Sequence, residues 1–333
     1  MTTYKEIKGQ LIRSVSSDPA NPQIGEIWYN NTIGVLKGYL NLGGAWQSGG
    51  NLSSATRSAG GAGTKTAGLI FGGLITGTTS TGTTQEYDGL SWNTSNPMSS
   101  GRRNIAGFGI QTAAVAAGGI ISPGSRFSNA TEEYGGTSWT SGGNLGNGRD
   151  ILTGAGTLTA GLAFGGFGPP PGSGEDKAFT EEYNGTSWTG GGALNTAVRS
   201  NGRAGTQTAA LSFGGDNPNP GVQTQTEEYD GSTWTTGGNL PVGKEGMAGG
   251  GTQTSALSSG GLDASPTNLA STEQYNGTTW TATGNLAVAR WGLAGDGVDN
   301  TSGLVFGGAT PSLTASTEEF TDPLIITQTL TTS

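Results

Sequence analysis

Tyr87-Asp88-Gly89-Leu90-Ser91-Trp92 is almost repeated four times downstream: Tyr-Gly-Gly-Thr-Ser-Trp at 134–139, Tyr-Asn-Gly-Thr-Ser-Trp at 183–188, Tyr-Asp-Gly-Ser-Thr-Trp at 229–234 and Tyr-Asn-Gly-Thr-Thr-Trp at 275–280. A period in the forties is the signature of a repeat architecture. Three ladders run in one phase. The first is Trp46, Trp92, Trp139, Trp188, Trp234 and Trp280, with Tyr87, Tyr134, Tyr183, Tyr229 and Tyr275 five residues ahead of the later five. The second is the Gly doublets at 72–73, 118–119, 165–166, 214–215, 260–261 and 307–308. The third is basic: Arg57, Arg102, Arg149, Arg199, Lys244 and Arg290, ten or eleven residues after each Trp.

Each unit reads as four short strands. A Gly-rich strand follows the basic residue, and an apolar strand such as 208–213 precedes the Gly doublet. A third strand ends in Glu-Glu-Tyr, and a fourth carries the Trp. Asp-Gly, Asn-Gly or Gly-Gly between the third and fourth tolerates positive φ and marks a tight hairpin. No segment holds a helical period, and Gly is too frequent for helices. Four strands repeated about six times predict an all-β chain folded as a six-bladed β-propeller, whose blades bury their apolar faces on one another.

The last unit begins at Arg290 and has Phe320 where Tyr is expected, with no Trp after it. Trp46, conversely, has no complete unit before it. The simplest account has residues 43–48 supply the outer strand of the sixth blade; a seventh blade from the N-terminal segment is the alternative. The organisation expected is an N-terminal arm over 1–42, a propeller over 43–320 and a C-terminal strand over 321–333.

Composition bounds the chemistry. Of 333 residues 64 are Gly, none is Cys and none is His, so disulfides, thiolate metal sites and the usual general base are excluded. The net charge of −9 and the lack of a basic stripe argue against nucleic acid. No apolar run is long enough for a membrane helix, and the first ten residues lack the apolar core of a secretion signal.

The Glu pairs at 132–133, 181–182, 227–228 and 318–319 invite a paired-carboxylate reading. They recur in nearly every unit, however, whereas an active site needs asymmetry. The expected role is structural, one Glu facing solvent and the other bonding a neighbouring blade. The basic ladder pairs with these carboxylates or with loop carbonyls; a ring of cations at one channel mouth, open to an anion, is the sharper alternative. No cofactor or metal is implied, since Asp216, Asp263 and Asp296 stand singly.

Variation between units is more telling than repetition. The segments after the Gly doublets differ, most of all around Pro169-Pro170-Pro171 and Glu175-Asp176-Lys177. All connect second to third strands, so they lie on one face, as binding loops on a rigid scaffold do. In the arm, Trp28 and Tyr29 within 25–31 are candidates for docking on a larger assembly. The C-terminal strand over 324–333 is a candidate to pair with the arm or with a neighbouring subunit.

Gly doublet, Tyr, Trp five residues later and then a basic residue resembles the kelch motif over 46–320. It departs at Phe320 and Lys244. The copper chemistry of kelch oxidases needs His and Cys and is not implied. The opening Tyr4-Lys5-Glu6-Ile7, the Asp18-Pro19-Ala20-Asn21-Pro22 turn, the 25–30 strand and Val35-Leu36-Lys37 look like the start of structural and tail-fibre-like proteins of marine bacteriophages. The Gly-Thr-Gln-Thr lines at 205–208 and 251–254 look like the kelch-like repeats those phages carry. The resemblance implies a non-enzymatic virion component in a tail, fibre or capsid-surface appendage, assembled in multiple copies and released by lysis. It would touch other virion proteins and host-surface glycan or protein. A carbohydrate-binding or carbohydrate-cleaving propeller is the alternative, and an intracellular kelch adaptor comes third.

Overall fold

Gly-rich, apolar, Thr-Glu-Glu-Tyr and Trp strands follow one another through the chain, and each set of four forms one sheet. The computed structural model describes residues 12–19, 26–41, 43–122, 126–169, 175–218, 221–322 and 325–330, and among these there is no helix. The first repeat pairs Trp92–Ser95 with Thr84–Tyr87, that strand with Ala67–Phe71, and Ala67–Phe71 with Gly60–Thr64, all antiparallel. The same order recurs in sheets that begin with Ala106–Ile110, Thr153–Thr157, Gly202–Thr206, Ala248–Thr252 and Ala294–Asp299. In the last of these the fourth strand is Ala45–Ser48, which carries Trp46. Each first strand lies against those of the neighbouring sheets, and the first strand of the sixth sheet lies against that of the first. This is an all-β fold of the β-propeller type.

The ladders are the contacts between sheets. Every ladder Trp donates its indole N–H to the Thr of the preceding sheet. Trp139 bonds Thr84, Trp188 bonds Thr131, Trp234 bonds Thr180 and Trp280 bonds Thr226. The series runs through both chain ends, because Trp46 bonds Thr272 at 2.9 Å and Trp92 bonds Thr317 at 2.8 Å. Tyr hydroxyls do the same with the Glu that stands last before each ladder aromatic of the preceding sheet. Tyr87 donates to Glu319, Tyr229 to Glu182 and Tyr275 to Glu228, each at 2.6 Å, and Tyr134 and Tyr183 donate to Glu86 and Glu133. Each Tyr is fully buried. An aromatic of this size contributes about 150–250 Å² of buried surface and needs a partner for its polar tip.

One interface lacks both halves of this bond. Phe320 has no hydroxyl, and the facing residue in the preceding sheet is Gln274 rather than Glu. A half-buried carboxylate without its donor would be costly, and the neutral amide avoids it. Gln274 instead donates to the Asn300 carbonyl at 2.7 Å.

The Gly-Thr-Gln-Thr lines are clasps between sheets. Gln207 donates to the carbonyls of Gly161 and Tyr183, Gln253 to those of Ala210 and Tyr229, and Gln111 to those of Gly68 and Tyr87. The Gly doublets answer a steric demand: Gly72 has φ +66°, and a Cβ there would stand 2.5 Å from the Arg102 carbonyl oxygen.

The chain divides into two units, Trp46–Thr321 and Met1–Ala45 with Asp322–Ser333. The second unit holds one four-stranded sheet in the order Arg13–Val15, Ile27–Asn30, Val35–Asn41, Ile325–Leu330. The C-terminal strand therefore pairs with the arm, antiparallel, with Tyr39 opposite Thr327. Asp18 ties this sheet down, accepting from the Trp28 indole at 3.1 Å, the Asn30 amide at 2.9 Å and the Lys37 ammonium at 2.5 Å. Those three donors, Lys37 first, hold its carboxyl down at about 2.

Candidate functional site

The basic ladder splits into two positions. Arg102, Arg149, Lys244 and Arg290 are buried and reach Glu132 at 2.9 Å, Glu181 at 2.8 Å, Glu273, and Glu318 at 2.9 Å. Arg102 also donates to the carbonyls of Gly118 and Ala130, both at 2.7 Å. The first Glu of each pair is therefore spent inside its own repeat, and the second accepts from the next repeat's Tyr. Neither Glu is the free solvent-facing one expected from the sequence.

Arg57 and Arg199 stand one residue further along, and adjacent residues of an extended chain face opposite ways. Their own repeats carry Thr56 and Val198 at the buried position. The carboxylate side follows suit: Gln85 replaces Glu in the first repeat and accepts from the Ser53 N–H at 2.9 Å. In the fourth, Glu227 is held by the Asn195 N–H at 2.7 Å and the Thr196 N–H at 3.1 Å.

The position that Arg57 and Arg199 occupy reads Arg57, Arg103, Asp150, Arg199, Glu245 and Trp291 around the six repeats. Each residue bridges to the start of its repeat's variable segment: Arg57 to Leu74, Arg103 to Ile120, Asp150 to Phe167, Arg199 to Asp216, Glu245 to Leu262 and Trp291 to Ala309. The variable segments and this rim thus share one face.

Below the rim lies a cycle of six backbone hydrogen bonds. Ser58 N–H donates to Gly292, Gly292 to Gly246, Gly246 to Ser200, Ser200 to Ile151, Ile151 to Asn104 and Asn104 to Ser58, at 2.8–3.1 Å. All six residues have φ between +51° and +62°. Left-handed backbone is unusual for Ser and a marked outlier for a β-branched residue such as Ile151. Strain of about 1–3 kcal/mol per residue persists where the surroundings over-determine it, as at ligand sites. Above this floor opens a cavity of about 310 Å³ lined by Arg57, Arg103, Asn104, Asn201, Glu245 and Trp291, among others. Deeper in, Arg203 reaches from the fourth repeat to the Gly61 carbonyl at 3.0 Å and to Asp296 at 3.4 Å. Asp296 is pushed up by burial, with Arg203 opposing. Five repeats have Gly where the fourth has Arg203.

The rim is electrically lopsided. Arg199 is the cation shared by Asp176 at 3.1 Å and Asp216 at 2.5 Å. Burial raises Asp176 and Glu245, Arg199 opposing, and the Asp216 charge raises both further. Asp150 is buried and raised to about 6, chiefly by desolvation, with Asn104 and Arg103 opposing. Among the described residues its Oδ1 has no hydrogen-bond partner, and neither has Asp176 Oδ2. On the other side Arg103 is pinned by the Thr78 carbonyl at 3.0 Å, Ser80 at 3.1 Å and Ser122 at 2.5 Å. Arg57 stacks on Trp291 with 4.6 Å to the ring centroid.

The segment singled out by the sequence is partly here. Asp176 belongs to the rim through Arg199. Pro169 and Glu175 are exposed, and the buried Lys177 pairs with Glu175 at 2.8 Å. Pro170 and Pro171 lie outside the described residues. Trp28 and Tyr29 belong to the other unit; Trp28 is buried and Tyr29 is 40% exposed. The sequence reading missed Glu245 and Asp150 because it ran the basic residues together. The signal was there in the eleven-residue spacing of Arg57 and Arg199 against ten for the rest. Among the described residues no group of three carboxylates is placed to hold a metal ion.

No protein-family model matches the chain, and no curated protein matches it. A solved structure titled "Structure of YjhT" is similar in fold, with a TM-score of 0.68 at 14% identity over 84% of this chain and 99% of that one. Likeness at that identity extends to the propeller-type fold alone.

Proposed function

We propose that this chain is a non-enzymatic structural and binding protein of a bacteriophage particle, in a tail, fibre or capsid-surface appendage. In this reading Trp46–Thr321 is a six-bladed kelch-like propeller closed by Ala45–Ser48, and the remaining sheet docks it on other virion proteins. The propeller face with the variable segments meets host-surface protein or glycan. The observation that carries it is the consumption of the repeated polar groups. Glu, Arg, Tyr, Trp and Gln ladders are spent on holding sheets together, so the asymmetric chemistry gathers at one rim on the variable face. The cyclic Trp–Thr and backbone series support closure. A rigid ring with one individual face, in a chain that also carries a separate small sheet, suits display on a particle.

Removing residues 1–42 together with 322–333 tests the docking role. The remaining ring should fold and melt cooperatively but fail to enter particles when supplied in trans. Incorporation of the truncated protein would overturn the assignment of the dock. A carbohydrate-binding propeller is the second reading, favoured by Trp291 at the cavity; binding on a glycan array that is lost in Trp291→Ala would support it.

A further inference from the structure

Three consecutive rim positions form a graded surface. Glu245 stands in the fifth repeat, Trp291 in the sixth and Arg57 in the first. The floor beneath Glu245 and Trp291 is bare, Gly246 and Gly292, whereas the other four repeats, that of Arg57 included, carry Ser58, Asn104, Ile151 and Ser200. A Cβ on Gly246 would lie 3.6 Å from Trp291 Cε3, and one on Gly292 3.7 Å from the Arg57 Cβ. The slot is therefore open to a thin guest, walled by the indole and floored by backbone.

The two ends of the slot have opposite unspent capacity. Arg57 lies over the Trp291 ring with 4.6 Å to the centroid, and a guanidinium that packs on an aromatic ring keeps N–H donors for an acceptor. At the other end Asp176, Asp216 and Glu245 gather around Arg199, whose two ion pairs go to the aspartates; Lys177 also acts on Asp176, and Glu245 accepts from Ser200. Among the described residues Asp176 Oδ2 has no donor. Carboxylates in such surroundings gain from a further cation. A purely anionic guest would suit one end and be repelled at the other; a cation alone would meet Arg57.

We propose that the slot from Glu245 across Trp291 to Arg57 binds a zwitterionic ligand of amino-acid to dipeptide size. Its ammonium lies in the acidic quarter, its carboxylate on the Arg57 edge and its methylene chain along the indole. This rests on the reading of the variable face as a binding face, and it adds the class of ligand.

The test is calorimetric titration of the full chain with 6-aminohexanoate, hexanoate and hexylamine at one ionic strength. The expected result is that the zwitterion binds about tenfold or more tightly than either half, one charge-assisted hydrogen bond at each end being lost in the halves. These titrations need no variant. Arg57→Gln should then bind 6-aminohexanoate no better than hexylamine, and Glu245→Gln no better than hexanoate, with melting temperatures matched to the parent. Hexanoate binding as well as the zwitterion would overturn the proposal, as would no binding of any probe, or zwitterion binding unchanged in both variants. None of these outcomes depends on particles. A chain found in particles that ignores zwitterions sinks this inference and leaves the virion reading standing.

Discussion

Replacing Arg149 with Met should be among the most damaging single changes in the propeller-type unit. Arg149 is fully buried and donates to the Gly165 carbonyl at 2.7 Å, the Phe179 carbonyl at 3.1 Å and Glu181 at 2.8 Å. The Met side chain keeps much of the volume but leaves Glu181 buried without its counter-ion and two carbonyls without a donor. Breaking one side of a buried pair costs about 3–5 kcal/mol, mostly from the charge left behind. At this chain size about 2 °C is lost per kcal/mol, so the melting temperature should fall by roughly 6–10 °C. The chain contains its own control, since the first repeat carries Thr56 and Gln85 in place of the ion pair. Arg149→Thr with Glu181→Gln should therefore recover most of the loss. Thermal melts followed by circular dichroism measure both. A single variant within about 1 °C of the parent, or a double variant as unstable as the single, would refute the structural role of the buried cation.

Three further outcomes follow from the same contacts. The five buried ladder tyrosines are raised from 10.0 to about 12, by burial first and their Glu partners next. Because the folded state holds these protons more tightly, their contribution is complete below pH 10 and is lost as pH rises toward 12. Tyrosinate absorbance and circular dichroism should therefore change together in that window; ionisation near pH 10 in a still-folded chain would contradict this. Asp150 has the opposite consequence: a carboxyl raised to about 6 opposes folding above that pH, and the cost fades as pH falls toward the ordinary 3.8. Asp150→Asn should stabilise the fold by about 2 kcal/mol at pH 7 and by little at pH 4, as read by paired melts. Arg203→Ala should leave Asp296 buried without its cation and lower the melting temperature at pH 7; Arg203→Ala with Asp296→Ala should restore it, and no recovery would show that Arg203 acts otherwise.

The propeller-type fold was legible because its causes are local and recur. Asp88-Gly89 and Asn184-Gly185 announce tight turns, and Gly89 and Gly185 do adopt φ of +90° and +87°. The Trp and Tyr ladders mark the sheet interfaces, and even the Phe320 exception makes sense once Gln274 is seen opposite it. The rim was not legible in the same way. Its residues differ in every repeat, so periodicity carries no signal for them, and they stand one residue from a ladder that hides them. Arg57 and Arg199 share a residue type with Arg102 and Arg149, and only the face they occupy distinguishes them. Asp176 reaches Arg199 from another repeat's hairpin, a pairing set by tertiary placement. The arm's Trp28 read as a docking candidate, but it is buried, and Asp18, ten residues earlier, supplies a partner for its indole.

The most direct test of the proposed virion role is mass spectrometry of phage particles purified from cultures that make this chain, with copy number per particle. The account predicts the full-length chain at a fixed copy number, low for a fibre or tail part and high for a capsid-surface appendage. Its absence from particles that carry their other structural proteins would contradict the virion reading and leave a free binding propeller in its place.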